Sequence, residues 1–273
     1  MPPQALWLAL AAAFVHAFWN LLLARARDPE SATAIALLAA IVAFAPVTVV
    51  TWRLDNRVWP YLAVTSVLQL VYFALLATAY RRAELSFVYP LSRGLAPVLV
   101  LLVGAVALDQ VTSKAQVVGV CLVATGILLV RGIRRPTRSE GLFFALGIAA
   151  CIAAYTLVDK RGIRYAAPIT YLELSMIPAA LVYAAAVIGA KGRTRVCAEL
   201  GAPAIVAGLA SFGAYSLVLA ALERASAASV AAVRETSVVI AAVLAAPLLR
   251  ERVGPWRLAG TVLVAGGITL LAL

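Results

Sequence analysis

Long apolar runs separated by short polar joints dominate this chain. The runs lie near Ala5–Ala24, Ser31–Trp52, Trp59–Tyr80, Leu85–Leu108, Ala115–Val130, Gly141–Val158, Pro168–Ala190, Ala202–Ala221, Ala225–Leu249 and Trp256–Leu271. A helix rises about 1.5 Å per residue, so about 20 apolar residues cross the ~30 Å hydrocarbon core of a bilayer. The pattern therefore predicts an all-α polytopic membrane protein with ten transmembrane helices. Joints of a few residues force sequential helices to be antiparallel neighbours.

The runs repeat. A shift of 141 positions carries Arg93 onto Arg234, Val98 onto Val239, Ala105 onto Ala246 and Leu108 onto Leu249. The same shift carries Gly119 onto Gly260, Leu122 onto Leu263 and Gly126 onto Gly267. Apolar alphabets match by chance, so the paired arginines and glycines carry the weight. A shift of 136 carries Ala9, Leu10, Ala13 and Ala17 onto Ala145, Leu146, Ala149 and Ala153, and Trp19 onto Tyr155. The first run thus resembles an internal helix, and it lacks the basic start of a removable leader. Residues 1–133 and 139–273 are expected to be two five-helix repeats, joined by a basic linker at 134–138. An odd number of crossings per copy inserts the second copy upside down. The expected architecture is an inverted repeat about a pseudo-twofold axis in the membrane plane, a plan used by transporters.

Charges inside the runs are the informative exceptions. Arg93 sits in the fourth run, with Pro90 and Pro97 around it, and Arg234 and Glu235 sit in the ninth. A charge at the bilayer centre costs at least ~2.5 kcal/mol, so each should face a polar partner or cavity rather than lipid. Adjacent helical residues diverge by about 100°, which predicts that Arg234 and Glu235 point apart. Glu235 would then oppose Arg93 across the pseudo-twofold as a gate or ionic lock. Arg234 would remain to grip an anionic group by a forked contact.

Composition agrees with a membrane protein: 64% of the 273 residues are hydrophobic, and the mean hydropathy is +1.00. The formal net charge of +11 would suggest nucleic acid in a soluble protein. Here the cations occupy short joints and act as topology signals, so no nucleic-acid partner is expected. Joints after the first, third, fifth, seventh and ninth runs hold fourteen Lys and Arg, the opposite joints seven. By the positive-inside rule that count puts both termini outside the cytoplasm. Cys121, Cys151 and Cys197 show no metal-ligand spacing and read as packing residues. There is no HExxH, GxSxG or P-loop and no pair of intramembrane aspartates, so neither an enzyme nor a cofactor nor a metal is expected. An intramembrane enzyme is accordingly the weakest of the readings weighed.

The first run ends His16-Ala17-Phe18-Trp19-Asn20 with Arg25 beyond it, and the sixth ends Ala154-Tyr155-Thr156 with Asp159, Lys160 and Arg161 beyond. The fifth and tenth close with the glycine-rich patterns GVCLVATGILL (119–129) and GTVLVAGGITLL (260–271). In these features, spread over the whole chain, the protein resembles the drug/metabolite transporter superfamily, specifically the EamA-type ten-helix transporters. The resemblance implies a secondary carrier, often an exporter of amino acids or other small metabolites, with a cavity between the halves. Phosphate-sugar carriers of the same superfamily similarly place basic residues on helices four and nine. The resemblance also implies cytoplasmic termini, opposite to the charge count.

The remaining candidates follow from helical spacing. His16, Trp19 and Asn20 share a stripe at i, i+3 and i+4. His16, the only histidine, reads either as a packing residue or as a proton-linked switch. Trp19 and its repeat partner Tyr155 read as packing or as an aromatic cavity wall. Tyr89 lies one turn before Arg93 on its face. The expected substrate-binding set is therefore Arg234, Arg93, Tyr89, Trp19, His16, Asn20 and Tyr155, with Arg93 and Glu235 as the lock. Gln69, Tyr72, Tyr171, Glu173 and Tyr215 read as helix-packing hydrogen bonds, and Asp159, Lys160 and Glu251 as solvated helix ends. Gly119, Gly126, Gly260, Gly266 and Gly267 permit close helix approach, within one chain or in a homodimer. The leading function is secondary export or exchange of a small polar metabolite, such as an amino acid or organic anion, by alternating access. A lipid-headgroup flippase of the same fold is the alternative. The expected setting is the plasma (inner) membrane, with the lipid bilayer and a small-molecule substrate as partners.

Overall fold

A computed structural model describes residues 1–83, 85–107, 112–131, 140–240 and 254–273. In chain order its helices are α1 (Pro3–Ala24), α2 (Pro29–Val50), α3 (Trp59–Arg82), α4 (Leu85–Ala107), α5 (Lys114–Arg131), α6 (Glu140–Gly162), α7 (Pro168–Lys191), the short α8 (Arg193–Cys197), α9 (Ala202–Arg224), α10 (Ala227–Glu235) and α11 (Pro255–Ala272). Starts and stops have local causes. Prolines occupy the first turn of α1, α2, α3, α7, α9 and α11, where a missing N–H costs nothing. Asp28 caps α2 by accepting from the Ser31 backbone N–H at 3.3 Å. Gly192 ends α7 with φ +84°, a conformation that favours glycine.

Seven helices among the described residues are long and apolar enough to cross a membrane: α1, α2, α3, α4, α6, α7 and α9. Lys114–Val130 and Leu258–Ala272 are shorter apolar helices. The ninth run begins as α10 and is described through Ile240; the rest of it, and Glu251 beyond it, lie outside the described residues. The helices are apolar nearly all round. Trp7, Val42 and Val106, exposed to 70%, 74% and 81%, point away from the bundle. That is the signature of helices whose outer surface meets lipid, not water.

Packing between the halves is reciprocal. α1 packs on α9 as α3 packs on α6, α2 on α9 as α3 on α7, and α1 on α10 as α4 on α6. The pairs α2–α7, α4–α10 and α5–α11 match with themselves. The pairs map onto one another when α1–α5 are matched in order with α6, α7, α9, α10 and α11. α2 and α7 run antiparallel. At one end Lys191 Nζ lies 2.5 Å from Asp28 Oδ1, and at the other the Ala167 N–H donates to the Arg53 carbonyl at 2.9 Å.

The α5–α11 seam explains four glycines. A Cβ on Gly126 would lie 2.6 Å from the Gly260 carbonyl, and one on Gly267 2.7 Å from the Gly119 carbonyl. These glycines serve packing within the chain. Gly266 has nothing within 4 Å of a built Cβ.

Candidate functional site

The crossing of α4 and α10 buries three charges at one point. Arg93, Arg234 and Glu235 are exposed to only 6%, 2% and 0%. Arg93 Nη1 donates to both Glu235 oxygens, at 3.3 and 3.2 Å. Arg234 Nε and Nη2 donate to Oε1 at 3.1 and 2.8 Å. Here the expected divergence of Arg234 from Glu235 fails. The long Arg234 side chain curls back over its neighbour, and two guanidiniums share one carboxylate. The cluster thus carries one more positive than negative charge. A guanidinium has five N–H donors, so the shared carboxylate exhausts neither arginine. Pro97 lies four residues after Arg93 within α4, and withdraws the N–H that would pair with the Arg93 carbonyl.

Aromatic rings flank the arginines. The Arg93 guanidinium carbon lies 5.3 Å from the centre of the Tyr89 ring, and that of Arg234 5.9 Å from Tyr155. Both distances suit cation–π attraction. Tyr155 in turn meets Tyr72 and Tyr215 edge-on, at 6.4 and 6.1 Å. Thus Arg93, Arg234, Glu235, Tyr89 and Tyr155 come together, with Tyr72 and Tyr215 added.

The α1 stripe lies beside this cluster. His16 is on α1, which packs against α10. Its ring meets Trp19 edge-on at 4.8 Å. Asn20 Nδ2 donates to the His16 carbonyl at 2.7 Å, which ties that amide to its own helix. Trp19 packs with Leu23, Ala32, Ala36, Ala204 and Ala207. Its Nε1, and Nε2 of His16, are buried without a hydrogen-bond partner among the described residues.

Sequence reasoning missed Asp159. Read as a solvated helix end, it is exposed to 0%. Thr65 Oγ1 donates to its Oδ1 at 2.7 Å and the Tyr171 hydroxyl at 3.0 Å, while the Tyr215 hydroxyl donates to Oδ2. The adjacent Lys160 is likewise no free end. Its Nζ donates to the carbonyls of Leu222 and Ala225, closing the end of α9. The signal that finds Asp159 is its spacing of i+4 from Tyr155, which puts both on one helix face. Tyr171 reaches Asp159 because Gly162 has no side chain; a Cβ there would lie 2.3 Å from Cε2 of the Tyr171 ring. Glu173, exposed to 3%, has one carboxyl oxygen buried and unpartnered among the described residues. Gln69 is also buried. The three cysteines are free thiols.

A family model described as the EamA-like transporter family matches residues 3–132 and again residues 139–273. Twenty-nine chains of solved structures are similar to this one. One, titled only as the crystal structure of a protein, superposes with a TM-score of 0.80 at 17% identity, covering 99% of this chain and 96% of that one. At that identity the likeness speaks for the fold alone. No curated protein matches.

Proposed function

The chain belongs to the EamA-like transporter family, of the drug/metabolite transporter type, and on that premise we propose a secondary carrier that moves a small polar metabolite bearing an anionic group. An amino acid or an organic anion has that chemistry. The observation that carries the reading is the pair of buried arginines set against one carboxylate. A guanidinium left partly uncompensated at bilayer depth is costly, and an arriving carboxylate or phosphate would offset that cost through forked hydrogen bonds. Arg234 and Arg93 would hold the anion, with Tyr89 and Tyr155 beside it. His16, Trp19 and Asn20 would line the first-helix side. The indole N–H of Trp19 is donor-only and lacks an acceptor among the described residues, so an oxygen of the cargo would satisfy it.

The mechanism proposed is alternating access by ten crossings arranged as two inverted five-helix repeats, 1–133 and 139–273, in the plasma membrane, with net export or exchange. The reciprocal packing and the antiparallel α2–α7 pair support it. In it, Arg93 and Glu235 form the lock that opens when cargo competes for the guanidiniums. The test is a metabolite uptake and efflux screen in vesicles reconstituted with the purified protein, offered mixed amino acids and organic acids. Wild-type vesicles should move at least one anionic species, and Arg234→Ala should abolish that flux at equal protein density. Undiminished flux in the variant would remove Arg234 from the site.

A further inference from the structure

We propose that Asp159 is a proton-binding site, wired to a hydroxyl relay whose hydrogen bonds are satisfied whether the carboxyl is ionised or neutral. Asp159 is fully buried on α6 and is held from α3 by Thr65, from α7 by Tyr171 and from α9 by Tyr215. No Lys, Arg or His lies within ion-pair distance of it among the described residues. With Asp159 ionised, Thr65 and Tyr171 both donate to Oδ1 and Tyr215 donates to Oδ2. With one proton added at Oδ1, that oxygen donates to Thr65 Oγ1. Thr65 then turns its hydrogen to the Tyr171 oxygen, 2.9 Å away, where either atom can donate. Tyr171 turns its own hydrogen to the Tyr61 carbonyl at 3.4 Å. Tyr215 does not move. One proton has entered, and no buried donor has lost an acceptor. Left without acceptors, those buried groups would be destabilising.

The relay ends at the Tyr61 carbonyl, beside the exposed joint between α2 and α3. Tyr61 is in the first turn of α3 and stacks on Tyr165, 5.6 Å away, which sits under Arg57 at 5.5 Å. Arg57 is in the exposed joint between α2 and α3. At the other side, Asp159 connects through Tyr215 and Tyr155 to Arg234.

The helices packed on α6 leave Asp159 as the group free to change charge. α3 brings the phenols of Tyr61 and Tyr72, and α9 that of Tyr215. α4 and α10 bring Arg93 and Arg234, which stay charged, and Glu235, which both arginines hold. On α6 itself the Lys160 ammonium is engaged by two carbonyls. His16 on α1 and Glu173 on α7 are two further titratable groups of the bundle.

The consequence rests on the carrier reading given above. Arg93, Arg234, Glu235 and Asp159 sum to zero charge with Asp159 ionised, and to one positive charge with it protonated. An anion therefore binds best together with one proton, and its affinity should fall about tenfold per pH unit above the point where Asp159 ionises.

The first test needs no cargo. Full-length protein in lipid nanodiscs is titrated by infrared difference spectroscopy, reading the C=O stretch of a neutral buried carboxyl. The band should appear on acidification, disappear in Asp159→Asn, persist in Glu173→Gln and ignore Na⁺ at constant ionic strength. A band that survives in Asp159→Asn, no band while wild type stays folded, or a band suppressed by Na⁺ overturns the proposal. If Asp159→Asn does not fold, Tyr171→Phe decides. Cutting the relay should keep the band and move the pH at which it appears, and an unmoved band is refutation. Where flux is measurable, Asp159→Asn should also abolish its pH dependence. Absence of flux with the band intact would sink the carrier reading alone.

Discussion

Replacing Glu235 with glutamine keeps the shape of the side chain and removes the charge that two guanidiniums share. Four hydrogen bonds, between 2.8 and 3.3 Å, converge on its two oxygens. The residue is wholly buried, so water cannot take over. Glu235→Gln leaves two buried positive charges facing each other with a neutral amide between. Removing one partner of a buried ion pair costs about 3–5 kcal/mol, and the second arginine pushes the expectation to the upper part of that range. Removing one arginine as well should return part of the loss, since Arg93→Gln in the Glu235→Gln background deletes the repulsion. The assay is a double-mutant cycle on reversible SDS unfolding in mixed micelles, with wild type, both single variants and the double. The coupling energy should be about 1–3 kcal/mol. It should be larger for Arg234 than for Arg93, because Arg234 makes the shortest contact, 2.8 Å, and engages two nitrogens. If the two losses simply add to within about 0.5 kcal/mol, the shared-carboxylate reasoning is refuted.

Three further outcomes follow from particular contacts. Gly126→Leu should break the α5–α11 seam, because its first carbon already meets the Gly260 carbonyl at 2.6 Å; Gly266→Leu, with open space, should leave unfolding unchanged. Gly162→Ala should displace the Tyr171 ring from Asp159, read as altered tyrosine absorbance, while Gly189→Ala, also in open space, should not. At the Asp28 end, burial acts to raise the carboxyl pKa, but the Lys191 ammonium and the Ser31 N–H and hydroxyl outweigh it and hold it below the ordinary range. The stability that this brings is complete above the unfolded value of about 3.9 and is lost as pH falls through the lower folded value. Unfolding followed between pH 6 and 2 should show this acid loss in wild type and a flatter profile in Asp28→Asn.

Much of the bundle was legible because apolar run length is a strong signal where lipid is the solvent. The arginines and glycines paired by a 141-residue shift also pointed to particular contacts: Arg93 was set opposite Glu235, and the two lie 3.2 Å apart. What stayed hidden depends on side-chain reach. Backbone geometry sends Arg234 and Glu235 about 100° apart, yet an arginine is long enough to cancel that angle, so direction along a helix did not decide the partner. Asp159 was obscured by its neighbours. Followed by Lys160 and Arg161 it resembles a wet helix end, but the lysine stem carries its charge away to the α9 carbonyls and leaves the aspartate inside. A basic pair after an acid therefore says little about where the acid itself lies; the i+4 tyrosine says more.

These two hidden features bear on each other. The arginine pair with Glu235 would leave one uncompensated positive charge at bilayer depth, at least ~2.5 kcal/mol on insertion scales. Asp159, joined to that pair through Tyr155 and Tyr215, supplies the missing negative charge without touching either guanidinium. Charge balance held at a distance is cheaper to undo than a direct salt bridge, since the hydroxyls around Asp159 re-pair when it is neutralised. Under the proposed alternating access, a site that reorients both loaded and empty would need to be close to neutral in each condition. One arrangement meets that need with cargo in place of the carboxylate's charge, the other with the carboxylate itself.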